Sequence, residues 1–298
     1  MRVNPNYTSD MVNLMDQAQQ NEENAVQQLS TGRRINLPSD DPAAEAAMVG
    51  ENSQSAAVDQ YTASSDSLTD VLNTANSTLN SVTTLLQRAV SLGVEGANGT
   101  MNQTDLNSIA SEVSGIQSQI VGLANTSYAG QYLFSGTVTG TAPYAADASD
   151  SSQIDYLGNT GQNKVQIGTG LSVAANLPGS SIFSQSGANV FTALQSLVTA
   201  LQSGDSSSIA AAGTSVSTAL GAVNTAQVFY GNTVNELTTN ETYLAQEKVN
   251  ISTYENTLVS ADTATAATDV TQDETVLNAT IAAAAQVNQQ ANLLNYIQ

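Results

Sequence analysis

The residue types able to do chemistry crowd into one stretch, Leu29-Ser-Thr-Gly-Arg-Arg-Ile-Asn-Leu-Pro-Ser-Asp-Asp-Pro. Asp40 and Asp41 close to Arg33 and Arg34 have the groups needed for acid–base work or for holding a cation. Their spacing favours a structural role. Ser39 or Asp40 is placed to cap a helix, Pro42 suits its first turn, and both carboxylates complement its positive end. Gly32 is placed to end the preceding helix. Arg33 or Arg34 pairing with Asp40 or Asp41 at the surface contributes under about 1 kcal/mol. Gly136-Thr-Val-Thr-Gly lacks the Gly-Lys-Ser/Thr ending of a phosphate loop. The Asn76 and Asn240 glycosylation-type triplets fall in mid-helix, and no EF-hand loop is present. Without cysteine or histidine the chain lacks thiolate nucleophiles and the commonest general base and metal ligand. The expectation is no enzyme, no cofactor and no metal.

These residues must be positioned by long helices. From Asn232 to Gln298 there are 67 residues without glycine or proline, and Leu237, Leu244, Ile251 and Leu258 recur every seventh residue. That spacing keeps one helix seam against a partner. After Leu258 the series resumes at Val270, Leu277, Ala284 and Ala291, out of phase. Such a break marks a joint between two packing environments. Val58, Ser65, Leu72, Leu79 and Leu86 alternate with Tyr61, Leu68, Ala75, Val82 and Ala89 over a second glycine-free run. Leu106, Ile109, Val113, Ile116, Ile120 and Leu123 form a shorter one. A thin stripe, Met11, Met15, Ala18, Ala25 and Leu29, marks the first thirty residues; alone it is too sparse for a stable helix. Several such helices make a bundle.

Glycines punctuate the rest. Gly93-Val-Glu-Gly-Ala-Asn-Gly is expected to break the second helix, with Asn102 or Thr104 capping the next. Gln131-Tyr-Leu-Phe reads as a strand. Ile154-Asp-Tyr-Leu and Lys164-Val-Gln-Ile read as one hairpin around Gly-Asn-Thr-Gly, and Leu171-Ser-Val-Ala as a further strand. Helix returns at Asn189, with Phe191, Leu194, Leu197, Val198 and Leu201 on one face, and again near Ser207. Tyr230, Tyr243 and Tyr254 are read as packing residues. The fold class is therefore mainly α with a β insert: discontinuous helical coiled-coil and bundle domains from both termini plus a small central β domain.

Twenty-six acidic residues against six basic give a net charge of −20. This argues against nucleic acid, which needs a basic face, and against an anionic membrane surface. No apolar run approaches a membrane span, and the first residues lack a secretory signal's apolar core.

Ser-Thr-Gly-Arg-Arg-Ile-Asn followed by Ser-Asp-Asp-Pro-Ala-Ala resembles the N-terminal helix junction of the bacterial flagellin superfamily. Pro38-Ser-Asp-Asp-Pro, Gly130-Gln-Tyr-Leu-Phe-Ser-Gly-Thr and the ending Ala291-Asn-Leu-Leu-Asn-Tyr-Ile resemble its hook–filament junction branch. The resemblance implies three domains: a terminal helical assembly domain (residues 1–38 and 262–298), a helical bundle with a short strand region (39–137 and 187–261) and a β-rich outer domain (138–186). It implies a structural adaptor ring at the hook–filament junction, joining the preceding junction protein to flagellin. Expected partners are flagellin, that junction protein, further copies of the chain in a ring and a cytosolic export chaperone. The expected location is extracellular, on the flagellum, after export through the type III channel without a cleaved signal peptide. Alternatives are a filament flagellin or a secreted adhesin. The expected assembly seam is Met11, Met15, Ala18, Ala25, Leu29, Val270, Leu277, Ile281, Ala284, Val287, Ala291 and Leu294. The expected junction between the terminal and bundle domains is Gly32, Arg33, Arg34, Asp40, Asp41 and Pro42. The distal half of the long C-terminal run is expected to await neighbouring subunits, so Leu277→Asp or Leu294→Asp should harm assembly more than monomer stability.

Overall fold

The computed structural model describes residues 7–147 and 153–291, with side chains between residues 9 and 286 of those ranges. Its helices are α1 (Tyr7–Thr31), α2 (Pro42–Gly96), α3 (Gln103–Ala124), the single turn α4 (Gly179–Ile182), α5 (Val190–Ser203), α6 (Ser206–Val259) and α7 (Thr263–Ala291). Between α3 and α5 lie four antiparallel hairpins: β1 (Ser127–Tyr128) with β2 (Gln131–Tyr132), β3 (Tyr144–Ala146) with β4 (Ile154–Tyr156), β5 (Lys164–Gly168) with β6 (Leu171–Ala174), and β7 (Ser184–Gln185) with β8 (Ala188–Asn189). The chain divides into two compact units, Met1–Ala57 with Glu247–Gln298, and Val58–Gln246.

The larger unit is built on the α2 heptads. Val58, Ser65, Leu68, Leu72, Ala75, Leu79, Val82, Leu86 and Ala89 are all buried, and only Tyr61 of the expected seams is half-exposed. Within this unit α6 runs antiparallel beside α2: Thr83 donates to Asn224 (3.4 Å), Gln227 to Asn80 (2.8 Å), and the glycines Gly93 and Gly213 meet backbone to backbone. Leu106, Ile109, Val113, Ile116 and Ile120 of α3 and the apolar face of α5 complete one continuous core. Asn102 caps α3, accepting from the Asp105 N–H at 2.9 Å, and Asn189 caps α5, accepting from Thr192 at 3.0 Å.

Two local expectations are refined or corrected here. The glycine cluster ends α2 at Gly96, as expected, but Gly93 and Gly96 do not act as simple helix breakers. Both are buried, and a Cβ on Gly96 would stand 2.4 Å from Leu201 Cδ2. They are close-packing positions, where the absent side chain lets α5 approach. The expected Ile154/Lys164 hairpin is also not formed: β4 pairs with β3, and β5 pairs with β6. Gly-Asn-Thr-Gly is occupied otherwise. Asn159 Oδ1 accepts from Thr137 N (2.8 Å) and Gly161 N (3.1 Å), and Tyr156 Oη donates to the Asn159 and Phe134 carbonyls, so this loop docks on the preceding segment. Phe134, Tyr144, Phe183 and Phe191 then close the β region against α5 in edge and tilted ring contacts.

The tyrosines divide. Tyr230 is buried, and its hydroxyl accepts from Leu177 N at 3.2 Å. Tyr243 and Tyr254 are exposed, so the packing role expected of them is not seen within the chain.

Candidate assembly interface

The smaller unit carries both groups of residues singled out above. Helices α1 and α7 pack along each other. They run antiparallel, since the end of α1 is bonded to the start of α7: Ala261 N donates to Gly32 O at 2.9 Å. On α1 the buried and half-buried positions are Met11, Met15, Ala18, Glu22, Ala25 and Gln28. On α7 they are Ala266, Val270, Asp273, Leu277, Thr280 and Ala284. Steps of three and four on both helices define a coiled-coil seam. It is a small-residue, partly polar seam, with Ala18, Ala25 and Ala266 as its most buried members.

Seven expected seam residues therefore meet inside one chain: Met11, Met15, Ala18 and Ala25 from α1, and Val270, Leu277 and Ala284 from α7. This is the face of α7 expected to await other subunits. Its thin apolar stripe finds a partner in α1 instead, so an acidic residue at Leu277 acts on the chain's own helix pair. Leu29, in heptad phase with Met15 and Glu22, and Ile281 are 41% and 46% exposed. Val12, Leu14, Val26 and Val276 are exposed as well. Val287 and Ala291 belong to α7, but their side chains lie outside the described residues, as does Leu294 altogether.

The expected junction is a joint made by two chain segments. Gly32 adopts φ +68°, the left-handed conformation that ends a helix without a Cβ clash. Arg33 then forms an antiparallel bridge with Ser260, and Arg34 N donates to Val259 O at 2.6 Å. The Arg34 guanidinium reaches Leu258 O (3.1 Å) and Asp41 Oδ2 (3.3 Å). The cap of α2 is Asp41, one residue later than expected: its Oδ1 accepts from Ala44 N at 3.0 Å, directly ahead of Pro42. Asp40 instead closes the preceding turn, accepting from Leu37 N (2.8 Å) and Asn36 N (3.0 Å). These backbone donors hold Asp40 below the usual carboxylate range. The Ala44 N–H, then Arg34, does the same for Asp41. Asp262 opens α7, accepting from Ala264 N at 3.0 Å and from the Thr265 hydroxyl at 3.0 Å. The heptad phase break between Leu258 and Val270 thus falls on a joint between α6 and α7.

Beside the joint is a pocket of about 530 Å³ lined by Thr31, Arg33, Met48, Asn52, Glu255 and Ser260 among others. Glu255 Oε1 is sealed from solvent there without a hydrogen-bond donor. Sequence reasoning missed this residue. It sits between heptad positions, and only the fold brings it to the joint. Among the described residues no cluster of three or more His, Cys, Asp or Glu is placed to hold a metal, and no helix is long and apolar enough to cross a membrane.

Two family models match the chain, the bacterial flagellin N-terminal helical region over residues 3–139 and the bacterial flagellin C-terminal helical region over residues 214–297. Flagellar hook-associated protein 3 of Escherichia coli K12 is 32% identical over 190 residues, 59% of this chain and 58% of the relative. Its Salmonella typhimurium counterpart is 37% identical over 119 residues, 40% of this chain and 38% of the relative. The match to these relatives thus spans well under two thirds of their length. Flagellin of Listeria monocytogenes is 30% identical over 185 residues, 58% of this chain and 64% of that protein. Two crystal structures share the fold. One is FlgL of Bacillus cereus (TM-score 0.60, 24% identity, 70% of this chain and 99% of that one). The other is the flagellar junction protein FlgL of Legionella pneumophila (TM-score 0.61, 15% identity, 72% of this chain and all of that one).

Proposed function

Given that this chain belongs to the bacterial flagellin family, we propose that it is a structural subunit of the flagellum, acting at the junction of hook and filament. Its relatives bear the name flagellar hook-associated protein 3. The observation that carries the reading is the α1–α7 pair. The two terminal regions matched by the family models meet in one helical pair, in which Val12, Leu14, Leu29 and Ile281 stay exposed. A monomer gains nothing from such residues in water, whereas a subunit packed among others buries them.

In this reading copies of the chain form a ring between the preceding junction protein and flagellin, after export through the flagellar channel with a cytosolic chaperone. Residues 1–38 and 262–298 serve as the inner assembly domain, 39–137 and 187–261 as the bundle, and 138–186 as the outer β domain. The seam residues Met11 to Ala25 and Val270 to Ala284 first hold α1 to α7. The exposed residues Leu29 and Ile281 then meet neighbouring subunits. A surface rich in Ser, Thr, Asn and Gln, with 11% charged residues, can be buried without desolvating many charges.

Antibody labelling of isolated flagella tests this. The expected label is confined to the hook–filament boundary, and label along the whole filament overturns it. The Listeria flagellin match supports a second reading, a filament subunit. Purified filament subunit extends filament seeds, whereas a junction protein does not.

A further inference from the structure

The joint of the smaller unit holds two ionisable side chains without partners, both lining the same pocket. Glu255, near the end of α6, has its Oε1 buried and without a donor. Burying a carboxylate oxygen in that way is costly unless a donor is within reach. Arg33, in the segment after α1, lines the same pocket of about 530 Å³. Among the described residues its guanidinium has no partner; only its backbone is engaged, by Ser260, Thr31 and Asn36. The neighbouring arginine is engaged, since Arg34 Nη2 donates to Leu258 O and Asp41. The two adjacent arginines are therefore not equivalent. One fastens the joint, and the other has a free guanidinium beside a carboxyl group with one buried oxygen.

We propose that Arg33 and Glu255 form a latch: the Arg33 side chain swings into the pocket and donates to Glu255, tying the segment after α1 to the last turns of α6. The backbone is already in place, because the Arg33–Ser260 bridge fixes where the side chain starts. Rotation about the side-chain bonds of both residues is required, because Glu255 Oε1 starts out sealed from solvent. Guanidinium and carboxylate match as a two-pronged pair, which an ammonium would not reproduce. Thr31 and Asn52 at the rim offer polar partners for the remaining N–H groups. With the latch closed, the α1–α7 pair is held at one angle to the first turns of α2. With it open, only Arg34 and the backbone bonds restrain the joint.

The sign of a mutational effect decides the matter. A carboxylate that never finds a donor is a liability, and replacing it with an apolar residue of similar size stabilises the protein. A latched carboxylate behaves in the opposite way. In urea unfolding of the full chain, Glu255→Met and Arg33→Met are each expected to lower the folding equilibrium constant. The double variant is expected to lose no more than either single one, a coupling of about threefold or more. The reversed pair R33E/E255R is expected to recover part of what Arg33→Glu alone loses. Stabilisation by Glu255→Met, or additive single and double effects, overturns the latch. Because the readout is the isolated chain, the outcome does not depend on where the protein sits on the flagellum.

Discussion

At the residue scale this protein is held by small local devices, and their pH behaviour follows from them. Asp205 accepts from the Ser208 and Ser207 hydroxyls and from Ser208 N at the start of α6, which brings its carboxyl from 3.8 to about 2. The folded state therefore prefers the ionised form. That contribution is present above the unfolded pKa and is lost as pH falls through about 2. Asp205→Ala should lower the urea midpoint at neutral pH, and the difference from the unaltered chain should vanish as pH is brought down through that range. Tyr230 is the alkaline counterpart. Burial raises its hydroxyl from 10.0 to about 12, so its contribution is intact below the unfolded value and is lost as pH rises through the folded one. Tyr230→Phe leaves Leu177 N without its acceptor and should cost about 1 kcal/mol, measured by urea unfolding at neutral pH. The acid cluster near Asp40 was legible as capping chemistry, but which aspartate caps was not. Asp40 and Asp41 differ by a single position, and the choice rests on how Asn36 and Leu37 turn.

At the element scale the long seams were legible because heptad repetition over five turns or more leaves one solution, and Leu72, Leu79 and Leu86 are all buried. Pairings among short strands were not legible. A strand of three residues carries too little pattern to choose its partner, and the Asn159 side chain, rather than a turn preference, decided that Gly-Asn-Thr-Gly would dock instead of reversing the chain. The packing role of Gly96 was not legible for the same reason: a glycine that only ends a helix and one that also admits a neighbouring leucine look alike in sequence. Gly96→Ala should therefore destabilise by about 1–3 kcal/mol through overpacking against Leu201, despite alanine's better helix propensity. A fall in the urea midpoint checks it; a rise would mean that Leu201 simply moves aside. The α1–α7 pair separates two kinds of apolar residue. Ala25→Asp, on the seam, should reduce helical circular dichroism of the isolated chain. Ile281→Asp, at an exposed position, should leave that signal unchanged and abolish incorporation into flagella. Equal effects of the two in both measurements would place them in one environment.

For the whole molecule, the division into two units predicts what survives truncation. A fragment spanning Val58–Gln246 retains the continuous core from Leu68 to Leu237 and should unfold cooperatively by itself. A molten fragment, judged by lost near-ultraviolet dichroism with retained helix, would show that the terminal unit is needed for that core. Here the resemblance already joined residues 1–38 and 262–298 in one domain. The folded chain adds that the stripe from Met11 to Ala25 packs along α7 of the same chain, antiparallel. That antiparallel pairing also has a mechanical consequence. The outer ends of α1 and α7 lie together at one end of their seam, so tension on the two ends loads one contact at a time and peels the helices apart like a zipper. A parallel pair pulled from opposite ends would be sheared along its whole length at once. Optical tweezers should therefore see this pair open at low, nearly constant force, before the rest of the chain gives way.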